Sequence, residues 1–356
     1  MATLTTQRSI VVRLYRHDEL SEHTARWQQF LDRQNLCALS RHIGWLEVLK
    51  QGLQHEPYCL EADEAGQTVG LLPLCLVSSV WFGRFLVGLP YLNSGGIVAT
   101  GAEAADALAT RAVELADQLN VRHLELRHEQ PVDHPALKQS LTTKVHMRLA
   151  LPDSADALWS GFSAKVRNQI RKGEKSDLSV AWGGQELLEE FYAVFARNMR
   201  DLGTPVFGKR LFSAILAGFP RAAEFCVVRH SARPVAAALL LHGAGTTEVP
   251  SASCLREYNP VNANMFMYWH LLRRAIERDQ SVFDFGRSTR ESNTYRFKKQ
   301  WGAVAEPAVW QFYVRKGCVG QMRPESGKFG LAVRAWQRLP VPLTRWLGPS
   351  IVRGIP

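Results

Sequence analysis

The chain has 356 residues, of which 46% are apolar, and it is therefore long enough to form two globular domains with well-packed cores. Its six cysteines are scattered without a Cys-x-x-Cys pair, a pattern that argues against a disulfide framework and against a structural zinc site. The net charge of +10 indicates an anionic partner, such as nucleic acid, a nucleotide-linked sugar, coenzyme A or an acidic lipid.

Two sequence features bear on localisation. No apolar run reaches the roughly 18 residues that a membrane span requires. The opening residues, MATLTTQRSIVVRLYRHDEL, do not have the charged-then-apolar layout of a secretion signal. We therefore expect a cytoplasmic protein.

Helices and strands alternate in the first part of the chain. The spacing of apolar residues predicts strands at 10–14, 58–62, 68–77, 80–86, 121–127 and 145–151, and helices at 18–34, 43–53 and 102–119. Between these elements, residues 88–99 read GLPYLNSGGIVA. The proline and the glycine pair of this segment allow either an ordinary turn or a close approach of the backbone to a ligand.

A basic segment, residues 162–180, joins the two parts of the chain. Val166 and Ile170 are spaced to face the core of a helix, and its cations then line the other side: Lys165, Arg167, Arg171, Lys172 and Lys175. This side is either a solvated basic face or a contact for an anionic ligand.

The second part of the chain repeats the order of elements in the first. Apolar spacing predicts helices at 155–162, 186–198 and 265–278, and strands at 225–229, 235–242 and 281–286. Strand, two helices, several strands, helix and strand is the layout of the acyl-CoA N-acyltransferase (GNAT) fold. We expect an α/β (α+β) protein with two tandem GNAT-like domains, each a mixed sheet flanked by helices, at 1–151 and 152–315, followed by a basic amphipathic tail at 316–356.

Residues 287–302, RSTRESNTYRFKKQWG, turn from polar to basic and aromatic. Cations neutralise negative charge, aromatic rings stack and hydroxyl groups orient a ligand, so the segment could form a site for an anionic or carbonyl-bearing ligand. The alternative is a solvated edge strand that points its aromatic rings into the core.

Two motifs in this region carry a family resemblance: Phe-Asp-Phe-Gly at 283–286, and Tyr-Arg-Phe-Lys at 295–298 with Gly302 after it. They resemble the C-terminal half of the Fem family of aminoacyl-tRNA-dependent transferases, and more closely the Fem-related proteins of exosortase (PEP-CTERM) systems. The resemblance implies that Lys298 stabilises the charge that develops during acyl transfer and that Phe297 positions the substrate.

Further residues are candidates for substrate binding. The resemblance extends to the segments around Tyr91 and Asn93 and around Arg127, so it implies ligand contacts there, and a surface ion pair is the alternative for Arg127. From the residues themselves we add candidates for orienting substrate or handling protons: Glu248, Arg256, Arg287 and Tyr295. We predict no metal ligands.

The tail, residues 316–356, has seven Lys or Arg against one Glu, interspersed with tryptophan and leucine and broken by prolines. This composition suits peripheral contact with the headgroup zone of a membrane, including the inner membrane. The alternative is a tail docked on the second domain.

These observations favour an N-acyltransferase of the Fem-like type that adds an aminoacyl or acyl group to an amine on a peptidoglycan or exopolysaccharide precursor. Its co-substrate would be aminoacyl-tRNA or acyl-CoA, with no tightly bound cofactor. The chain has no match to Arg/Gln-x-x-Gly-x-Gly/Ala, the loop that cradles coenzyme A pyrophosphate, which argues against standard coenzyme A binding. The alternatives are an acyl-CoA-dependent GNAT acetyltransferase and a non-catalytic glycolipid-binding module at the membrane.

Overall fold

The structure is a computed structural model that describes residues 9–36, 38–317 and 330–356. In chain order its strands are β1 (Val11–Arg16), β2 (Glu56–Glu64), β3 (Gln67–Ser79), β4 (Gly83–Val87), β5 (Val98–Ala99), β6 (His123–His128), β7 (Gln139–Leu141), β8 (Lys144–Ala150), β9 (Leu178–Gly183), β10 (Ala223–His230), β11 (Arg233–His242), β12 (Thr246–Cys254), β13 (Val282–Thr289), β14 (Val304–Pro307) and β15 (Val309–Val314). Its α-helices are α1 (His17–Arg33), α2 (Trp45–Leu53), α3 (Ala102–Gln118), α4 (Ala155–Gly161), α5 (Ala164–Glu174), α6 (Leu188–Leu202), α7 (Lys209–Gly218), α8 (Ala263–Glu277), α9 (Asn293–Lys299), α10 (Gly330–Arg338) and α11 (Val341–Val352).

The strands form two mixed sheets. The first has the order β1-β2-β3-β4-β6-β15-β7, with β5 paired to β3, and the second has the order β14-β8-β13-β12-β11-β10-β9. Each sheet contains a single parallel pair among the described strands, which is β4 with β6 in the first and β12 with β13 in the second. The remaining pairs are antiparallel, so the two sheets repeat one arrangement.

The two sheets exchange strands. The strand at 145–151 was expected to close the first domain, but β8 pairs with β13 and β14 in the second sheet. In return, β15 leaves the second part of the chain and pairs with β6 and β7 in the first sheet. The reason lies in burial, because Val145 and Met147 of β8 belong to the second sheet's core. The predicted boundary at residue 151 therefore does not follow sheet membership.

One hydrophobic core is shared by both parts of the chain. Trp45 and Leu49 on α2 lie in the same buried cluster as Phe191 on α6. Helix α2 also packs closely on α7, where a Cβ atom on Gly52 would lie 2.9 Å from the Leu211 Cα. A larger residue at position 52 would push these two helices apart, so the glycine sets how closely the two parts of the chain can pack.

Two local expectations need correction. Residues 293–299 do not form the edge strand that was one of the two alternatives; they form the helix α9, because the Ser292 hydroxyl caps its first turn by accepting a hydrogen bond from the Tyr295 backbone N–H. The strand expected at 80–86 begins only at Gly83, and Val80 and Trp81 form the exposed tip of the β3–β4 hairpin. In contrast, the helix predicted from the basic segment is confirmed as α5, with Val166 and Ile170 buried.

The described part of the tail consists of α10 and α11, which both pack against α6. The remainder of the predicted tail, residues 318–329, lies outside the described residues. Among the helices that the structure describes, none is long and apolar enough to cross a bilayer.

Candidate active site

The parallel strands β12 and β13 separate in the middle of the second sheet. They pair at only three positions, the last of which joins Glu248 to Asp284. Beyond it β12 continues along β11 and β13 continues along β8. An opening between the two strands therefore begins at a pair of carboxylates, and both carboxylates are buried.

A β-bulge follows directly in β13. The register of β13 against β8 shifts between Asp284 and Arg287, and Gly286 has a φ of +76°, a left-handed conformation that favours glycine. The Asp284 carboxylate accepts a hydrogen bond of 2.7 Å from the Gly286 N–H. A Cβ atom at this position would lie 3.4 Å from the Asn93 amide nitrogen. The bulge thus brings the first part of the chain against the second.

Lys298 lies on this bulge. Its ammonium nitrogen donates hydrogen bonds of 3.0 Å to the backbone carbonyls of Gly286 and Arg287, and the residue is only 8% exposed. Burial lowers the pKa of Lys298 to about 8, although the charge of Asp284 opposes the shift. An ammonium group has three donors. The two carbonyls take two of them, which leaves one donor for a further acceptor.

Glu248 has the opposite shift. Burial and, to a smaller extent, the Asp284 charge raise its pKa to about 7, because both effects disfavour a second negative charge at this place. The Ser40 backbone N–H donates a hydrogen bond of 2.8 Å to the Glu248 carboxylate. A carboxyl group with this pKa can take up and release a proton near neutral pH.

Arg148 on β8 connects the carboxylates around the opening. Its guanidinium forms ion pairs with Asp284 at 3.0 Å, with Glu129 at 2.7 Å and with Glu306 at 2.6 Å. Burial alone would raise the pKa of Glu129, but the hydrogen bond from Arg148 and the charge of Arg41 lower it to about 2. Glu129 therefore remains a carboxylate and joins the first part of the chain to this network.

His146 on β8 is also buried beside this network. Its Nδ1 lies 4.0 Å from an Asp284 oxygen, yet burial lowers its pKa to about 4. The imidazole is therefore neutral near pH 7. Because His146 is neutral, the cation on β8 that pairs with Asp284 is Arg148.

Trp310 on β15 links the two sheets. The Arg287 Cζ lies 3.7 Å from the centre of its ring and the Arg127 Cζ lies 4.1 Å from it. Contacts of this kind contribute about 0.5–2 kcal/mol each. Arg127 is buried and donates to the Glu125 carboxylate at 2.7 Å and the Leu92 carbonyl at 2.9 Å. The structure thus gives Arg127 a supporting position, and its contact with an anionic substrate stays a prediction.

The corresponding opening in the first sheet is filled by the chain itself. β4 and β6 pair in parallel as far as Val87 and Glu125, after which the loop turns back onto β6. Gly88 donates a hydrogen bond of 2.9 Å to the Glu125 carbonyl, and Gly95 and Arg127 exchange backbone hydrogen bonds of 3.0 and 3.2 Å. Of the two parallel pairs, β12 and β13 therefore separate and leave an opening, whereas the loop after β4 closes the gap beside β6.

Residues 160–299 match the sequence family described as "Acetyltransferase (GNAT) domain". The crystal structure of FemX is similar to this chain, with a TM-score of 0.62 and 15% identity over 85% of this chain and 97% of that one. A tandem GNAT protein from the clavulanic acid biosynthesis pathway gives a TM-score of 0.54 and 11% identity, over 86% and 98% of the two chains.

The chain has a tandem GNAT fold. This confirms the predicted fold class. The C-terminal domain (DUF2156) of a putative lysylphosphatidylglycerol synthetase from Agrobacterium fabrum is also similar, with a TM-score of 0.54 and 13% identity over 83% of this chain and 93% of that one. At these identities the similarity concerns the fold. No sequence among the curated proteins matches the chain.

The two predicted residues of the 88–99 loop, Tyr91 and Asn93, contact different parts of the tandem GNAT fold. Asn93 lies against the bulge at Gly286, close to the carbonyls that hold Lys298. Tyr91 instead faces the tail, where its hydroxyl donates a hydrogen bond of 2.8 Å to the Arg353 carbonyl and its ring stacks on His55. Asn93 therefore belongs to the candidate site, whereas Tyr91 connects the first domain to α11.

Three other predicted residues do not line the opening directly. Tyr295 is buried in the core of the second sheet, and Phe297 packs at its edge with its ring 5.0 Å from that of Tyr268. These rings anchor α9 and so position Lys298. Arg256 lies in the 3₁₀ helix Arg256–Val261 and donates a hydrogen bond of 3.5 Å to the Asp201 carbonyl at the end of α6. Their contacts with substrate remain predictions.

Sequence reasoning missed several members of the site: Asp284, Arg148, Glu129, His146 and Trp310. Asp284 lies inside the motif that carried the resemblance, but it was not singled out as a site residue. The available signal was a carboxylate in an otherwise apolar strand, because a charge in such a place needs a partner. Within the described ranges no cluster of three or more His, Cys, Asp or Glu residues is arranged to hold a metal ion.

Proposed function

We propose that the protein is an N-acyltransferase of the Fem-like type, which transfers an aminoacyl or acyl group to an amine on a cell-envelope peptidoglycan or exopolysaccharide precursor. The observation that carries this proposal is the position of Lys298. A buried ammonium group is fixed by two carbonyls where β12 and β13 separate, with Glu248 at the start of the same opening.

The chemistry assigned to this opening is direct attack. The amine nitrogen forms a bond to the acyl carbonyl carbon, which gives a tetrahedral intermediate with a negative oxygen. The remaining N–H of Lys298 donates to that oxygen. Glu248 accepts the proton that the attacking nitrogen loses. The intermediate then breaks its bond to the ester oxygen or thioester sulfur of the donor, and that leaving group takes up the proton that Glu248 accepted.

Asn93 and Arg287 are assigned to substrate binding, because both lie where the two domains meet over the bulge. Arg287 carries a permanent positive charge and an anionic group of the donor or acceptor would be attracted to it. Arg127, Tyr91, Arg256 and Tyr295 contact other parts of the protein, and we propose that they support the residues that bind substrate.

Aminoacyl-tRNA is the donor that we propose first. The similarity to FemX, the net charge of +10 and the missing coenzyme A loop motif support it. An acyl-CoA donor is the second candidate, favoured by the match of residues 160–299 to an acetyltransferase family. The acceptor class and the relation to exosortase systems rest on the resemblance of the sequence motifs to Fem-related proteins.

The experiment that tests the proposal is a transfer assay with two labelled donors. Purified protein is incubated with a pool of labelled aminoacyl-tRNA or with labelled acetyl-CoA, together with peptidoglycan or exopolysaccharide precursors that carry a free amine. We expect transfer from one donor and a loss of at least about 100-fold in the Lys298→Ala variant, as for removal of an oxyanion donor.

Lys299 provides the matched control. It follows Lys298 on the same helix but is exposed, so Lys299→Ala should keep the activity of the parent protein. Full turnover by Lys298→Ala would contradict the catalytic assignment. Failure of both donors, with every amine offered, would contradict the proposed reaction class.

A further inference from the structure

Large apolar side chains are exposed on the tail and on a nearby hairpin. Trp346 on α11 is 74% exposed and Leu331 on α10 is 82% exposed. At the tip of the β3–β4 hairpin, Trp81 is 87% exposed and Val80 is fully exposed. Exposed apolar groups that form a contiguous patch mark sites of contact with proteins, membranes or ligands.

The orientation of α11 shows that Trp346 points away from the protein. The helix buries Thr344, Gly348 and Val352, which recur every fourth residue and therefore form one docked face. Trp346 is two residues after Thr344, and at about 100° per residue it lies on the opposite side of the helix. The exposed indole is therefore not a by-product of poor docking.

The end of α11 lies against the base of the hairpin. A Cβ atom on Gly354 would lie 2.6 Å from the Ser79 Cβ and 3.4 Å from a ring carbon of Phe82. Val80 and Trp81 project from the turn between these two residues. The hairpin tip and the C-terminal end of α11 are therefore neighbours.

The charge of this surface has one sign. Residues 330–356 contain four arginines and no aspartate or glutamate. On α10 the exposed residues Leu331, Arg334, Ala335 and Arg338 have the spacing of one helical face. Arginine beside tryptophan and leucine is the combination that suits the boundary between anionic lipid headgroups and acyl chains.

We infer that α10, α11 and the tip of the β3–β4 hairpin form a docking surface for a bilayer that contains anionic phospholipid. The arginines would meet lipid phosphates while Trp81, Trp346 and Leu331 enter the boundary of the acyl chains. The exposed aliphatic residues Val80 and Leu331 favour a lipid over a nucleic acid, which would be held by cations and by aromatic stacking. The inference concerns binding and does not depend on the proposed acyl transfer.

Vesicle flotation of the full chain tests the inference. We expect binding to vesicles of phosphatidylcholine with phosphatidylglycerol, and weak binding to phosphatidylcholine alone or in high salt. The double variant Arg334→Gln, Arg338→Gln should lose affinity roughly fivefold for each arginine. Trp81→Ala with Trp346→Ala should reduce binding at least as strongly, and tryptophan fluorescence of the parent protein should shift to the blue on binding.

A control variant leaves this surface intact. Val304 is exposed on β14, at an edge of the second sheet, so Val304→Ala should bind vesicles as the parent protein does. Circular dichroism must show that the tryptophan variants remain folded. Absence of binding to anionic vesicles, or binding that the arginine and tryptophan variants do not change, would overturn the inference. So would exclusive binding of RNA, or a dimer that forms through the two tryptophans instead.

Discussion

Glu248 and Asp284 are partners in the last register position at which β12 and β13 run side by side. Asp284 is paired with Arg148 at 3.0 Å and receives the Gly286 N–H. Glu248 has the Ser40 N–H as its donor. The two carboxylates therefore differ in their partners. Burial and, to a smaller extent, the charge of Asp284 raise the pKa of Glu248 to about 7.

The first prediction concerns the pH dependence of transfer. Glu248 acts as a base when it is deprotonated, so kcat/KM should rise as pH increases through about 7. Lys298 acts when it is protonated, so kcat/KM should fall as pH increases through about 8. The profile should therefore be bell-shaped with a narrow maximum between these values.

Glu248→Gln should remove the rising limb and lower kcat/KM by roughly 10²–10⁴-fold, the usual contribution of a general base. The measurement is kcat/KM of the parent and the variant from pH 5.5 to 9.5 at saturating donor. A variant that keeps the rising limb would show that another group takes the proton.

The second prediction concerns stability. The pKa of Glu248 is raised from its usual 4.5 to about 7 in the folded protein, so the folded state binds a proton more tightly than the unfolded chain. The free energy of unfolding should therefore fall as pH rises from about 5 to 7, by about 3 kcal/mol at most from this residue. Urea unfolding at pH 5 and pH 8 should show a smaller decline in Glu248→Gln than in the parent protein. An equal decline in both proteins would exclude Glu248 as the source.

The third prediction separates the structural role of Lys298 from its catalytic role. In Lys298→Met the carbonyls of Gly286 and Arg287 lose a buried donor, which should lower the free energy of unfolding by about 1–3 kcal/mol. Urea unfolding measures this loss, and Lys299→Met on the same helix is the control and should be nearly neutral. If Lys298→Met has normal stability, the ammonium does not hold the bulge as the structure shows.

The fourth prediction concerns the bulge. Gly286→Ala places a side chain at a φ of +76° and should destabilise the protein by about 1–2 kcal/mol. Because the new Cβ also approaches Asn93, we expect kcat/KM to fall by about tenfold or more, as small displacements in active sites do.

Gly66 is a matched control for this substitution. It lies in the β2–β3 turn with a φ of +84°, and a Cβ atom there would have no neighbour within 4 Å. Gly66→Ala should therefore show a similar loss of stability, measured by thermal unfolding, and normal transfer. Equal losses of activity in both variants would mean that the bulge has no special role.

The sequence was informative where local chemistry decides the structure. The order of elements predicted the tandem GNAT fold, and the motif at 295–298 directed attention to Lys298, which is buried beside the strand opening. The helix α9 was missed because its seven residues are too few for a clear apolar period. The helix begins at the Ser292 cap, and in a polar segment a capping serine cannot be told apart from any other serine.

Long-range pairing decided the rest and could not be predicted. β8 and β15 have strand-like sequences, but neither sequence indicates which sheet the strand joins. The stability of a strand in a sheet depends on the neighbours that the fold provides. The network around Arg148 has the same origin. It brings together Glu129, Asp284 and Glu306, which are widely separated in sequence, only after the strands have exchanged.

The exchange of β8 and β15 has a consequence for how the protein unfolds. A chain cut after residue 151 would give two fragments, each of which retains a strand that completes the other's sheet. The sheet of each fragment would lack one internal strand, so the neighbouring strands would expose unpaired backbone groups that favour aggregation. The tandem units should therefore melt together in one cooperative transition, in contrast to the separate transitions of domains joined only by a linker.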